Sequence, residues 1–416
     1  MKLYIRITVL VLSLFLQQIH AQDASPSPYS FFGMGDPSFK GTVENIGMGG
    51  LRLYADSIHY SINNPASLSR LKFVSLSLGV GNKFINVSDQ TDSKWLSAHG
   101  VSYFSLGIPI GKKFGLGFGL LPVSSSGYKI YRKTNQETYT YEGKGGNSRL
   151  FLAAAYNINK NLNLGVEYQY YFGYFDHVNL WVPNNVITYT KENNQIDFTG
   201  ATWKFSANYH YELSHNHFLD VGANYKLSAD YKANYAKQVR LITVSSSSGE
   251  ETVETLTDEQ KTGLIAHPFQ ADFGLGYGSK NKWYMGAEYN YIGLKDFTNP
   301  YYDKNIVSYK DASVIRMGGQ WTPQYNSITN YWKRATYRLG FNYKNTGMNI
   351  RGTDIKDFGI TFGLGLPAIR GISRMNLGIE LGQRGKITTQ LVKENYINLH
   401  INLSLNDVWF IKRKIN

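Results

Sequence analysis

The chain has 416 residues, a formal net charge of +13 and no cysteine. Its length is enough for one large domain or two ordinary ones. The missing thiols exclude a disulfide scaffold, a lipidated-cysteine anchor, thiolate chemistry and cysteine-ligated metal. Lys and Arg are scattered or sit in turns such as "GKK" and "SKNK"; for an exported protein this basic balance fits contact with anionic lipid headgroups better than contact with DNA, and solubility alone also accounts for it.

The chain begins "MKLYIRITVLVLSLFLQQIHAQ". Lys2 and Arg6 form a basic start, Ile7 to Leu16 is a short apolar run, and Ala21 is a small residue where cleavage is expected. This pattern predicts a secretory signal peptide over residues 1–21. The apolar run is about half the roughly 20 residues that a membrane-spanning helix needs.

Residues 22–71 show no sustained alternation and hold Gly33, Gly35, Gly47, Gly49 and Gly50. Gly at this density permits backbone conformations closed to other residues. The segment ends in "NNPASLSR", where Asn63 and Asn64 precede Pro65, a turn-forming arrangement.

From residue 72 onward the pattern changes to period two. In "NLNLGVEYQYYF", Leu162, Leu164, Val166, Tyr168, Tyr170 and Phe172 share one face, opposite Asn161, Asn163, Gly165, Glu167 and Gln169. Such alternation predicts a strand. Fourteen runs read this way: 72–82, 97–110, 113–124, 147–158, 161–173, 199–213, 217–231, 264–278, 281–292, 310–322, 333–344, 354–366, 374–383 and 395–405. Many have the length of a tilted strand crossing a bilayer. Their polar faces carry Glu167, Lys204, Glu212, Asp220, Lys226, Asp272, Glu288, Arg316, Arg338 and Glu380. That is too much charge for a packed core and suits the interior of a membrane barrel.

Links after the second, fourth, sixth and eighth runs are short. Those on the other side are longer, the longest around "KQVRLITVSSSSGEETVETLTDEQK". Short turns on one side and long loops on the other predict an all-β, 14-stranded antiparallel transmembrane β-barrel in the bacterial outer membrane. Trp409 and Phe410 near the end of the last run suit a barrel-assembly signal. A barrel of this width is not filled by its own side chains. Residues 22–71 are therefore expected to plug it, with residues 72–416 forming the wall.

In the third run, "FGLGFGLLPVSSSGY", Gly115, Gly117 and Gly119 share a face and Pro122 interrupts the pattern. Proline cannot donate to a ladder, so it marks a bulge or edge, or else the start of the outer loop.

The strand count together with "NIGMGGLRLYADSIHYSINNPASLSR" (Asn45 to Arg70) resembles the FadL family of long-chain fatty-acid transporters. "SPYSFFGMGD" and "SLNDVWFIKRK" are similar to the Bacteroidota branch of these proteins. The resemblance implies an N-terminal hatch inside the lumen and uptake of hydrophobic molecules such as long-chain fatty acids, with lateral exit at a kinked third strand. It assigns gating to Gly47, Gly49, Gly50, Asn63, Asn64, Pro65 and Ala66, and the opening to Gly115, Gly117, Gly119 and Pro122. Expected partners are hydrophobic small molecules and outer-membrane lipids. Other members of this barrel family resemble subunits of type IX protein-secretion machinery, which keeps a non-transporting binding partner open as an alternative.

Catalytic signals are poor. No G-x-S-x-G or H-E-x-x-H motif occurs, and no cofactor or metal is expected. Asp56, Ser57 and His59 are neighbours only in sequence, whereas a triad is assembled across a fold.

Overall fold

The computed structural model describes residues 25–214, 216–245, 249–297, 306–368, 372–389 and 391–409. The expected signal peptide and Phe410 lie outside the described residues.

Fourteen antiparallel strands close into a barrel. They are β1 (Val74–Ser88), β2 (Ser93–Ile110), β3 (Phe114–Ser126), β4 (Glu137–Asn157), β5 (Leu162–Pro183), β6 (Thr188–Glu212) and β7 (His217–Lys226 continuing as Ala229–Ser245). There follow β8 (Gly249–His267 continuing as Gln270–Ser279), β9 (Trp283–Ile292), β10 (Ala312–Trp321), β11 (Thr336–Ile350), β12 (Thr353–Pro367), β13 (Arg374–Thr388) and β14 (Leu391–Asp407). Closure comes from β14 on β1, in register from Lys393↔Ser88 to Asp407↔Val74. Both ends of the wall therefore lie on the side of the short turns.

Alternation sets which side chains meet lipid. On β6, Lys204, Ser206 and Asn208 are buried, while Trp203, Phe205 and Tyr209 are exposed on the outer face. The same division holds on β12, where Phe358, Ile360 and Phe362 point outward. An apolar outer face with a polar inner face is the membrane-barrel arrangement. Of the charged residues read as interior, Glu212 is the exception. It is exposed at the end of β6 and pairs with Lys280 at 2.7 Å.

The strands extend further than the alternating runs. The stretch read as the longest loop instead continues two strands, with β7 and β8 paired from Ala229↔His267 to Ser245↔Gly249 and β7 also paired with β6 as far as Thr243↔Thr188. The upper part of β8 is exposed along nearly its whole length, on both faces, so no alternation marks it. Among the described residues this upper part of β8 pairs only with β7, leaving a free edge.

Residues 25–71 run inside the barrel. They contain a 3-10 turn (Pro28–Phe32), a bridge at Asp36–Pro37, a short helix α1 (Val43–Ile46) and a 3-10 helix (Pro65–Arg70). Thr42 caps α1 by accepting from the Asn45 amide at 3.3 Å. Leu68 is fully buried in a cluster with Tyr60, Ile62, Tyr103 and Phe151. Burial of one such leucine contributes roughly 1.5–3 kcal/mol.

Candidate functional site

The internal segment is tied to the wall by buried ion pairs in several sectors. Asp36 is the densest node. Its carboxylate accepts from Arg384 Nη1 at 2.5 Å, from Ser25 Oγ at 2.6 Å and from Lys83 Nζ. Arg384 also donates to Glu394 at 2.9 and 2.5 Å and to Ser27 Oγ at 2.6 Å. Burial alone would raise the Asp36 pKa, but Arg384 and Lys83 outweigh it and hold the carboxyl well below the usual carboxylate range.

Further round the barrel, Lys40 pairs with Glu380 at 2.7 Å, Arg52 with Asp272 at 2.7 Å and Arg70 with Asp220 at 3.2 Å. Glu288 accepts from the backbone amides of Arg52 and Leu53 at 2.6 and 2.7 Å. Salt bridges so placed fix orientation, because each charge taken from water requires its partner.

The residues singled out in "NNPASLSR" lie together under this network. Asn64 is fully buried and donates to Asn208 Oδ1 at 3.1 Å. Pro65 begins the 3-10 helix, and the Ala66 amide donates to Ser206 Oγ at 2.6 Å. The Asn63 carbonyl accepts from Lys204 Nζ. Gly47 ends α1 beside Gly363 and Arg338. The Gly49 amide donates to Thr361 Oγ1 at 2.9 Å. Gly49 has φ +72°, and a Cβ there would stand 2.7 Å from the Met317 carbonyl. Gly50 lies against Arg316.

Gly115, Gly117 and Gly119 face inward. A Cβ on Gly117 would meet Leu68 Cδ1 at 2.8 Å, and Gly115 abuts the Leu68 backbone. Gly119 instead clears space for Phe151, where a Cβ would stand 2.5 Å from Cε1. The first two glycines therefore make room for the 3-10 helix, and the break in the wall lies above all three.

That break is set by Pro122. The β2–β3 ladder runs only from Ile110↔Phe114 to Phe104↔Leu120. Beyond it, β2 continues to Ser93 paired with β1 alone. Strand β3 shifts register against β4 between Pro122 and Ser124. It then takes its second partner from the internal segment, through Asp36↔Ser125 and Pro37↔Ser124. The Ser38 amide donates to the Val123 carbonyl at 2.9 Å, and its hydroxyl donates to the Pro122 carbonyl at 3.3 Å. The gap in the wall and the internal segment are thus one connected feature, which only the three-dimensional pairing reveals.

Above the segment is a lumenal cavity of about 280 Å³. Leu121, Val123 and Phe39 line it beside the gap, and Arg149, Lys204, Lys226 and Arg316 line it elsewhere. A second, wider space of about 800 Å³ opens on the short-turn side, bordered by Arg70, Lys72, Lys112, Asp56 and Arg374. Asp56 accepts from the Ile58 and His59 amides at 2.8 Å, and Ser57 and His59 form no nucleophile–base pair with it.

The BamG family profile matches residues 3–416. The chain belongs to the BamG family. No curated protein matches it by sequence. A FadL homologue from Pseudomonas aeruginosa is similar in structure, at 11% identity and TM-score 0.59, with 89% of this chain and 98% of that one covered. The Ralstonia pickettii toluene transporter TbuX is similar at 13% identity and TM-score 0.57, covering 90% and 98%. The Pseudomonas putida toluene transporter TodX is similar at 16% identity and TM-score 0.55, covering 90% and 98%. This BamG-family chain therefore has the fold of FadL-type barrels and is an outer-membrane protein.

Proposed function

We propose that this BamG-family barrel is a sealed, non-transporting subunit of an outer-membrane protein complex, such as secretion machinery. The lumen carries this reading. Sites for hydrophobic compounds are lined mainly by apolar and aromatic groups. Here nine Lys and Arg side chains and three carboxylates line the cavity, and ion pairs bind the internal segment to β1, β7, β8 and β13. The free edge of β8 supports the same reading, since an unpaired strand edge is a template for another chain. Val253 and Leu256 stand on that part of β8, 58% and 51% exposed.

A photo-crosslinking residue at Leu256 is expected to give a discrete adduct with an outer-membrane protein. The purified barrel in liposomes is expected to leave fatty-acid and toluene transfer at the rate of empty liposomes.

One observation favours a second reading, the uptake of hydrophobic molecules with lateral exit at β3. It is the missing β2–β3 pairing beyond Phe104↔Leu120, lined within by Leu121 and Val123. In this reading residues 25–71 act as a hatch and Asn63 to Ala66 set how it hangs. Accelerated transfer in the liposomes, lost when the gap is closed, would establish this reading over the first.

A further inference from the structure

The charges around the lumenal cavity do not balance. Lys40, Arg52, Lys83 and Arg384 each have a carboxylate partner. Arg149, Lys204, Lys226 and Arg316 have none within 4 Å among the described residues, although they are only 4–8% exposed. Nε and Nη2 of Arg149 and Nη1 of Arg316 are buried with no hydrogen-bond partner.

These groups belong to one cluster. Lys204 and Lys226 stand directly opposite each other on β6 and β7. Arg149 stands opposite Tyr171 across β4 and β5, and the Lys226 ammonium lies 5.9 Å from the Tyr171 ring centre. All four cations line the same cavity. Of the nearby carboxylates, Asp272 holds Arg52, whereas Glu288 accepts from two backbone amides and Glu167 from Gln169; each glutamate keeps a buried Oε2 without a hydrogen-bond partner and offsets only part of the charge of the four cations, from beyond 4 Å.

Several unneutralised charges in one poorly hydrated space are costly unless something of opposite sign joins them. Arg cannot relieve the strain by losing a proton. The unused Nε and Nη2 of Arg149 form the edge of a guanidinium that grips two oxygens of one anion. We propose that the cavity is a binding site for a phosphate-type oxyanion, held by Arg149 and Arg316 with Lys204 and Lys226. The site is small enough for one such group, whether free or as the headgroup of a lipid whose chains leave past Leu121 and Val123 through the β2–β3 gap. It is independent of whether the barrel conducts.

The test uses the full barrel, purified from membranes and also refolded in phosphate-free zwitterionic detergent. Inorganic phosphate is titrated into the refolded protein by calorimetry. We expect saturable binding, weakened about tenfold or more in Arg149→Met, which loses charge-assisted bonds. Without the anion, Arg149→Met and Lys226→Met are expected to melt at or above the wild-type temperature, because each removes an uncompensated charge. A purely structural Arg149 would instead lower the melting temperature. Phosphorus analysis of the membrane-purified barrel separates the sources: extractable phospholipid or glycolipid phosphate means a headgroup, and inorganic phosphate alone means a free anion. Wild type that neither binds inorganic phosphate nor carries phosphorus overturns the proposal, as does Arg149→Met that binds as tightly as wild type.

Discussion

Asp36 shows how one side chain joins the internal segment to the wall. It meets Arg384 and Lys83 at once, and through Arg384 it is linked to Glu394 and Ser27. Asp36→Asn keeps the shape but leaves Lys83 without its carboxylate. Removing one partner of a buried pair costs about 3–5 kcal/mol. The expected outcome is a barrel that still forms, seen as a heat-modifiable band on gels, while protease cuts within residues 25–71 at lower denaturant than in wild type. Acid should mimic this change. The folded pKa of Asp36 is held down, so its stabilisation is complete above an unfolded value near 4 and is lost as pH falls below it. His59 is also pushed down, chiefly by burial, so folding disfavours its protonation and loses ground below about pH 6.5. Protease release of the segment is therefore expected to begin on mild acidification and to steepen in the carboxylate range. In Asp36→Asn the second, acidic stage should be diminished, and an unchanged acidic stage would count against this account.

At the scale of elements, strand β3 behaves as two strands joined at Pro122. Before the proline it pairs with β2 and β4; after it, Asp36 to Ser38 replace β2. Hydrogen exchange should report this directly. Amides over Phe104–Ile110 are expected to be protected, whereas between Ser97 and Tyr103 the amides pointing away from β1 should exchange orders of magnitude faster. Pro122→Val restores a donor and lets the ladder grow, so those fast amides should slow. Uniform protection across β2 would remove the gap. The wall itself was legible in the amino acids, because lipid outside and polar groups inside impose period two on runs such as Leu162–Phe172. The upper part of β8 was not, since water on both faces imposes no alternation. Gly115 and Gly117 were legible as a face, but their purpose depends on Leu68, some fifty residues away and brought close only by the fold. The cationic cluster was invisible for the same reason. Arg149, Lys204, Lys226 and Arg316 come from four strands, and only the missing carboxylates mark them as a group.

For the whole molecule the decisive question is whether the internal segment moves. The chain has no cysteine, so an engineered pair would supply its only thiols. Asn64 and Asn208 provide the place: their amide groups are 3.1 Å apart, both are buried, and they belong to the 3-10 cap and to β6. Asn64→Cys with Asn208→Cys, joined by oxidation or by a short bis-methanethiosulfonate reagent, would tie the segment to the wall through disulfide bonds. A hatch that must shift to release cargo would then stop working until reductant is added. A sealed subunit would not notice, because its task depends on surfaces such as the β8 edge, which the tie does not touch. The expected result is that the tied barrel forms the same Leu256 crosslink as the untied one, with no difference on reduction. A reductant-dependent gain in hydrophobic transfer, at constant folded fraction, would show instead that the ion pairs holding Asp36, Lys40, Arg52 and Arg70 are a latch, made to open.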